Sequence, residues 1–148
     1  MTTEDELAAL TAAFFAAVSF APGERPAYDA IRDLFIEQAL LIKNVGAAEI
    51  ATVDEFIAPR RALFDSGALT EFDERELDHT TQVFGNVAHR MSTYAKRGVQ
   101  AGAGFQARGM ISTQFVLTPA GWRMSAMAWD DERPGLTLPQ TAQGGTMR

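Results

Sequence analysis

The stretch FGNVAHRMSTY, residues 84–94, and the stretch GWRMSAMAWDDE, residues 121–132, decide the fold. Both have the composition and alternation of long β-strands. Because neighbouring residues of a strand point to opposite faces, His89 and Arg90 cannot serve the same side of the sheet. Arg90 therefore shares a face with Ser92 and Tyr94, whereas His89 shares one with Met91 and Thr93.

Helical patterns come before these strands. Residues 3–20 have one apolar stripe, a short second helix follows around Tyr28, and a third begins at Thr52, where Glu55 completes a capping box and Pro59 lies inside. A β-type run at 39–46 separates the last two. Further strands are predicted at 69–82, 84–97, 105–118 and 121–131. This order predicts a single α+β domain over residues 1–132 and a loosely ordered tail over 133–148.

Composition and charge exclude several functions. The 148-residue chain has a net charge of −6, which argues against a nucleic-acid partner. The apolar run at 7–21 follows three acids and is too short to span a bilayer, so no membrane partner is expected. The absence of cysteine fits a cytoplasmic protein. Two histidines on different strands give no metal-ligand spacing, and no motif indicates a cofactor.

The element order and the two quoted strands resemble the nuclear transport factor 2-like superfamily, especially its SnoaL-like bacterial members. The resemblance covers residue 3 to about residue 132. It implies helices packed on a strongly curved antiparallel or mixed sheet that forms a cone with an internal pocket. It also implies a small organic ligand and a homodimer formed through the outer face of the sheet. An inward Arg90 would suit an anionic ligand.

The same resemblance implies which side chains face the pocket. In the last strand the inward set would start at Trp122, and Arg123, Ser125, Met127 and Trp129 would face the dimer partner. The implied ligand-binding residues are Phe14, Asn44, Arg90, Ser92, Tyr94, Thr113, Trp122, Ala126, Ala128 and Asp130.

One branch of the superfamily is disfavoured by its own site residues. Ketosteroid isomerases use a tyrosine, an aspartate base and a second, protonated aspartate. At the corresponding positions this chain has Phe14, about Asn44 and about Thr113, which cannot perform those roles. Steroid-type isomerisation is therefore not expected.

Other acid–base chemistry would need a different base. The candidates are Asp130, Asp78 and His79, none of them in a specific motif. The acids Asp73, Glu74, Glu76 and Asp78 are interpreted as the exposed decoration of a strand. Arg90 has two interpretations: it grips an anionic ligand, or it pairs with an acid at the rim of the sheet.

Three functions are thus compatible with the sequence. The first is a small-molecule-binding protein without an assigned reaction. The second is a cyclase, hydratase or isomerase with an aspartate or histidine base, which requires a carboxyl of perturbed pKa inside the cavity. The third is a non-enzymatic interaction module, whose signature would be an absent pocket and a large apolar surface.

Overall fold

The computed structural model describes residues 1–139. Helix α1 spans Thr3–Val18, and a 3₁₀ helix spans Tyr28–Leu34. The start of α1 is fixed by a capping box, in which the Thr2 hydroxyl accepts the N–H of Asp5 and the Asp5 carboxylate accepts the N–H of Thr2. Leu7, Phe14 and Val18 form the buried side of this helix. No helix among the described residues is long and apolar enough to cross a membrane.

Helix α2 spans Val53–Asp65 and continues through Pro59. Thr52 and Glu55 make the expected capping box at its start. Proline has no N–H to donate one turn back, so the helix loses one bond at this point. One residue later, the Arg60 guanidinium donates to the carbonyl of Phe56, at 2.9 Å. The helix thus continues past the proline, and the Arg60 side chain lies against it.

Within residues 1–139, six strands form a single sheet. They are β1 (Phe35–Lys43), β2 (Glu49–Ala51), β3 (Leu69–Phe84), β4 (Val87–Gln100), β5 (Ala103–Thr118) and β6 (Gly121–Asp131). Their spatial order is β2-β1-β6-β5-β4-β3. All pairings are antiparallel except that of β1 with β6, so the sheet is mixed. The α+β class and the four long strands expected from the sequence are confirmed.

A β-bulge at Ser125 changes which residues of β6 face the inside of the sheet. Gln114 pairs with Ala126 and Phe115 pairs with Met124, so Ser125 has no partner in β5. Before the bulge Trp122 and Met124 face inward, as expected. After it the alternation is displaced by one residue, because two residues of a bulged strand oppose one of its neighbour. The inward residues are then Met127, Trp129 and Asp131.

One strand differs from its expected limits, and one strand was not expected. The β-type run predicted at 39–46 begins at Phe35 and ends at Lys43, and the short edge strand β2 was not predicted. Within the predicted tail, Arg133 and Leu136 exchange two backbone hydrogen bonds in a turn. The rest of that prediction falls on residues 140–148, which lie outside the described residues.

The core lies between the helices and the inner face of the sheet. Phe14 makes aromatic contacts with Phe15, Phe35 and Phe56, with ring centroids 5.9–6.1 Å apart. Such pairs add to the free energy gained by burying the rings. Two rings of this aromatic cluster, Phe14 and Phe56, line the cavity described next.

Candidate functional site

A cavity of about 320 Å³ lies between the helices and the inner face of the sheet. This volume is at the lower end of the range for small-molecule sites, about 300–1,000 Å³. Most of its wall is aromatic or aliphatic. The polar side chains on the wall are Lys43, Glu49, Arg60, Glu74, Lys96 and Gln100.

Arg60 forms one side of the cavity. Its guanidinium carbon lies 3.6 Å from the centroid of the Phe56 ring, which in turn meets Trp129 edge to face at 5.8 Å. Burial lowers the pKa of Arg60, but the group remains a cation at physiological pH. It forms no ion pair with a carboxylate of residues 1–139. The cavity therefore holds a cation whose contacts are an aromatic face and one carbonyl.

Glu74 enters the cavity from β3. Its backbone is fixed because its N–H donates to the Ser19 hydroxyl at 3.0 Å, just after α1 ends. Its carboxyl accepts no hydrogen bond from residues 1–139 and forms no ion pair with them. Burial raises the pKa of Glu74 to about 7, against the opposing attraction of Lys96 and Arg60.

Lys96 is the cross-strand partner of Glu74 but does not pair with it. Its ammonium lies 3.0 Å from Asp131 of β6 instead. The Tyr94 hydroxyl donates to the same carboxylate and lies 3.0 Å from the carbonyl of Asp130. Burial first, and then the hydrogen bond to Asp131, hold the pKa of Tyr94 well above its usual value, so the hydroxyl stays a donor.

A glycine makes room for this arrangement. Gly109 of β5 lies directly opposite Tyr94, and a Cβ at this position would collide with the Tyr94 hydroxyl and the carbonyl of Asp130. Gly98 makes room in a similar way, because a Cβ at this position would lie 2.7 Å from the Phe105 ring. Both glycines are needed because a side chain crosses over their backbone.

A second polar cluster lies farther along the inner face, outside the cavity. Arg90 is 4% exposed and makes two hydrogen bonds to the Glu76 carboxylate, at 2.9 and 2.7 Å. Ser92 donates to the same carboxylate at 2.6 Å, and Arg90 also contacts the Thr81 hydroxyl at 3.2 Å. Although burial acts in the opposite direction, the hydrogen bonds from Arg90 and Ser92 hold the pKa of Glu76 below its usual value.

The structure separates the predicted ligand-binding residues. Phe14 lines the cavity. Arg90, Ser92, Tyr94, Thr113 and Trp122 are buried on the inner face, but they contact protein groups rather than the cavity. Asn44 lies just after β1 and donates to the carbonyl of Ile42, at 3.3 Å.

The prediction for the second half of β6 is wrong. Ala126, Ala128 and Asp130 are on the outer face because the bulge at Ser125 displaces the alternation. Met127 and Trp129, expected at the dimer interface, are 2% and 9% exposed and lie inside.

None of the three catalytic candidates reaches the cavity. Asp130 pairs with Arg133 at 2.7 Å near the surface. Asp78 and His79 lie on opposite faces of β3, so Asp78 cannot orient the imidazole, and His79 lies 3.5 Å from Glu76. One Asp78 carboxylate oxygen is buried without a hydrogen-bond partner among the described residues.

The sequence interpretation missed Glu74 and misplaced Glu76, since both face inward rather than decorating an exposed strand. The signal was available in the alternation of β3, because both acids share the parity of Phe72. Which residues lie opposite the two acids is not visible in the alternation. The structure shows that Glu74 pairs with Lys96 and Glu76 with Tyr94.

Comparison with known proteins assigns the fold. An NTF2-like protein from Cytophaga hutchinsonii matches with a TM-score of 0.70 at 13% identity, over 89% of this chain and 100% of its own. A candidate aromatic ring hydroxylase from Novosphingobium aromaticivorans matches with a TM-score of 0.69 at 16% identity, over 90% and 93%. A candidate calcium/calmodulin dependent protein kinase II association domain from Xanthomonas campestris matches with a TM-score of 0.68 at 12% identity, over 89% of each chain.

The chain therefore has the nuclear transport factor 2-like fold, as its sequence resemblance implies. No family model matches the chain, and no curated protein matches it. The descriptions of the structural neighbours differ widely, and identities of 12–16% relate the folds alone. A fold shared by such different proteins does not select a function, so the function has to be argued from the cavity.

Proposed function

We propose that the chain binds a small aromatic or otherwise apolar carboxylate in the cavity, with Arg60 as the anion contact. The observation that carries this proposal is a guanidinium on a mostly apolar wall that forms no ion pair with a carboxylate of the described residues, while Glu74 and Glu49 attract it only from a longer distance. A buried cation gains most from a ligand that supplies the missing charge. The volume suits a molecule of one or two rings.

Titration calorimetry with 2-naphthoate and its neutral analogue 2-naphthamide tests this proposal. We expect the carboxylate to bind about 10- to 100-fold more tightly, because hydrogen bonds to a charged group contribute about 1.5–3 kcal/mol. Arg60→Gln should remove this preference while leaving the amide's affinity nearly unchanged.

The control is Arg61→Gln on the same helix, since Arg61 points to solvent and pairs with Asp29 at 2.6 Å. This variant should keep the wild-type preference. The proposal is wrong if neither compound binds, or if Arg60→Gln still prefers the carboxylate.

We also propose that the chain forms a homodimer through the outer face of the sheet. The observation in favour is an uncharged row across five strands, made by Thr80, Met91, Ser112, Ala128 and Ile42, which we call the outer row. Two copies related by a twofold axis can bring these rows together without burying a charge. A cytoplasmic location is proposed on the absence of cysteine alone.

A further inference from the structure

The Glu74 carboxyl faces the cavity without a protein partner among the described residues, which is the placement of a reactive group. This carboxyl lies on the cavity wall, and no donor among residues 1–139 contacts it, although the Glu74 backbone is fixed to Ser19. A structural carboxylate on an inner face would be expected to have partners, as Glu76 has two residues along the same strand. The Glu74 carboxyl is therefore free to contact whatever occupies the cavity.

The neighbouring cation is held away from Glu74 by a second acid. Lys96 lies directly across from Glu74 on β4, but its ammonium is 3.0 Å from Asp131. Asp131 is itself fixed by the Tyr94 hydroxyl. Tyr94 and Asp131 thus act as positioning residues that leave Glu74 unpaired and keep a cation nearby on the same face.

We propose that Glu74 is the general base of an enzymatic activity in this cavity, removing a proton from a carbon next to a carbonyl or similar electron-withdrawing group. The C–H bond breaks, and its proton bonds to a Glu74 oxygen. The electron pair moves to the carbonyl oxygen, whose negative charge Lys96 or Arg60 can stabilise. Glu74 then returns the proton to another atom of the same molecule, so no co-reactant is needed.

The surroundings favour this chemistry near neutral pH. From α1 the cavity receives Phe14 and Val18, which cannot titrate, whereas α2 supplies Arg60 and β4 supplies Lys96. Asp131 of β6 lies behind Lys96, outside the cavity wall, and is paired with it. Asp73, beside Glu74 on β3, adds a further negative charge. Together with burial these groups bring the pKa of Glu74 to about 7, where a general base is most effective.

The elimination of 5-nitrobenzisoxazole tests the proposal without knowledge of the natural substrate. A base removes the ring C–H proton, a nitrile forms, the N–O bond breaks and a coloured nitrophenolate leaves. We expect the wild-type chain to catalyse this reaction, with kcat/KM rising with pH and levelling above about 7. Glu74→Gln should lower kcat/KM by about 100-fold or more.

Glu71→Gln is the matched control, because Glu71 lies on the same strand outside the cavity wall and should leave kcat/KM unchanged. Cooperative thermal unfolding, followed by circular dichroism, shows that Glu74→Gln is folded. The proposal is overturned if the wild type adds nothing to the buffer rate, or if Glu74→Gln retains it. It rests on the cavity as a binding site but not on the carboxylate preference, so each idea can fail without the other.

Asp131→Asn tests the positioning role. The negative charge of Asp131 would be lost, and Lys96, freed from it, would turn to Glu74; both changes stabilise the charged form of Glu74. The midpoint of the kcat/KM profile should therefore move to lower pH, a change that a purely structural defect would not produce. An unchanged midpoint would overturn this role for Asp131.

Discussion

Two glutamates on one strand show how far local contacts decide the state of a residue. Glu74 and Glu76 share the inner face of β3. Arg90 and Ser92 hydrogen-bond to Glu76 and lower its pKa, whereas Glu74 lacks such donors and burial raises its pKa to about 7. The same residue type is thus a fixed anion at one position and a titrating group at the other.

Glu74 should make the fold less stable at high pH. The pKa of Glu74 in the folded state lies above the ordinary value of 4.5, so folding favours the protonated carboxyl. The stability that this group contributes is therefore fully present below pH 4.5 and is lost as the pH rises through about 7. At about 1.4 kcal/mol per pH unit, the loss reaches at most about 3.5 kcal/mol. Urea unfolding of the wild type and Glu74→Gln at about pH 5 and pH 8 measures it.

The difference in the free energy of unfolding between the wild type and Glu74→Gln isolates the effect of Glu74. Carboxylates of lowered pKa, such as Glu76, change stability in the opposite direction, but they do so equally in both proteins. We expect Glu74→Gln to gain stability over the wild type on going from pH 5 to pH 8. Equal changes in the two chains would contradict a raised pKa for Glu74.

Arg90 illustrates what could be foreseen for a single residue. Alternation along β4 correctly places it on the face shared with Ser92 and Tyr94. Its partner could not be foreseen, because Glu76 meets it only through the β3–β4 register, and that register shifts at Leu77. The interpretation of Arg90 as half of an ion pair describes the observed contact, although that pair lies away from the rim, at a side chain only 4% exposed.

At the scale of elements, the four long strands and their approximate limits could be predicted, but the short strand β2 and the phase of β6 could not. Period two holds for Trp122 and Met124 and fails after Ser125. A bulge arises from the pairing of two strands and the curvature between them, and a single strand's sequence carries little sign of it. The polar wall of the cavity was missed for a similar reason, since it assembles from five elements.

Strand β5 offers a direct test through its glycines. Gly109→Ala would push a methyl group into the Tyr94 hydroxyl and the carbonyl of Asp130, and we expect it to destabilise the fold by about 1–3 kcal/mol. Gly104→Ala on the same strand meets only one atom, at 3.9 Å, and should be neutral or stabilise by up to about 1 kcal/mol. Thermal unfolding of both variants measures the two changes in stability. Equal changes would refute the close approach at Gly109.

At the scale of the whole molecule, the α+β class and the cone-like fold follow from the order of helices and strands. The nuclear transport factor 2-like resemblance drawn from two strands is confirmed at this level. What the order of elements cannot supply is the chemistry of the interior, because the fold tolerates many different side chains there.

The proposed dimer belongs to this scale as well. Ser112→Arg places a charge in the middle of the outer row, and a twofold axis would present that charge twice. Sedimentation velocity should show a dimer for the wild type and a monomer for Ser112→Arg. Ala9→Arg, on the solvent side of α1, should remain dimeric. A monomeric wild type, or a dimeric Ser112→Arg, would contradict an interface at the outer row.

The bulge at Ser125 has a consequence for how this protein can be diversified. Beyond it, odd-numbered positions 127, 129 and 131 face the interior, and even-numbered positions 126, 128 and 130 face outward. A combinatorial library at the odd positions would therefore change the packed interior, including the two cavity-lining residues Met127 and Trp129. One at the even positions would change only the outer face, on which the proposed dimer depends, so six consecutive codons allow the two faces to be varied separately.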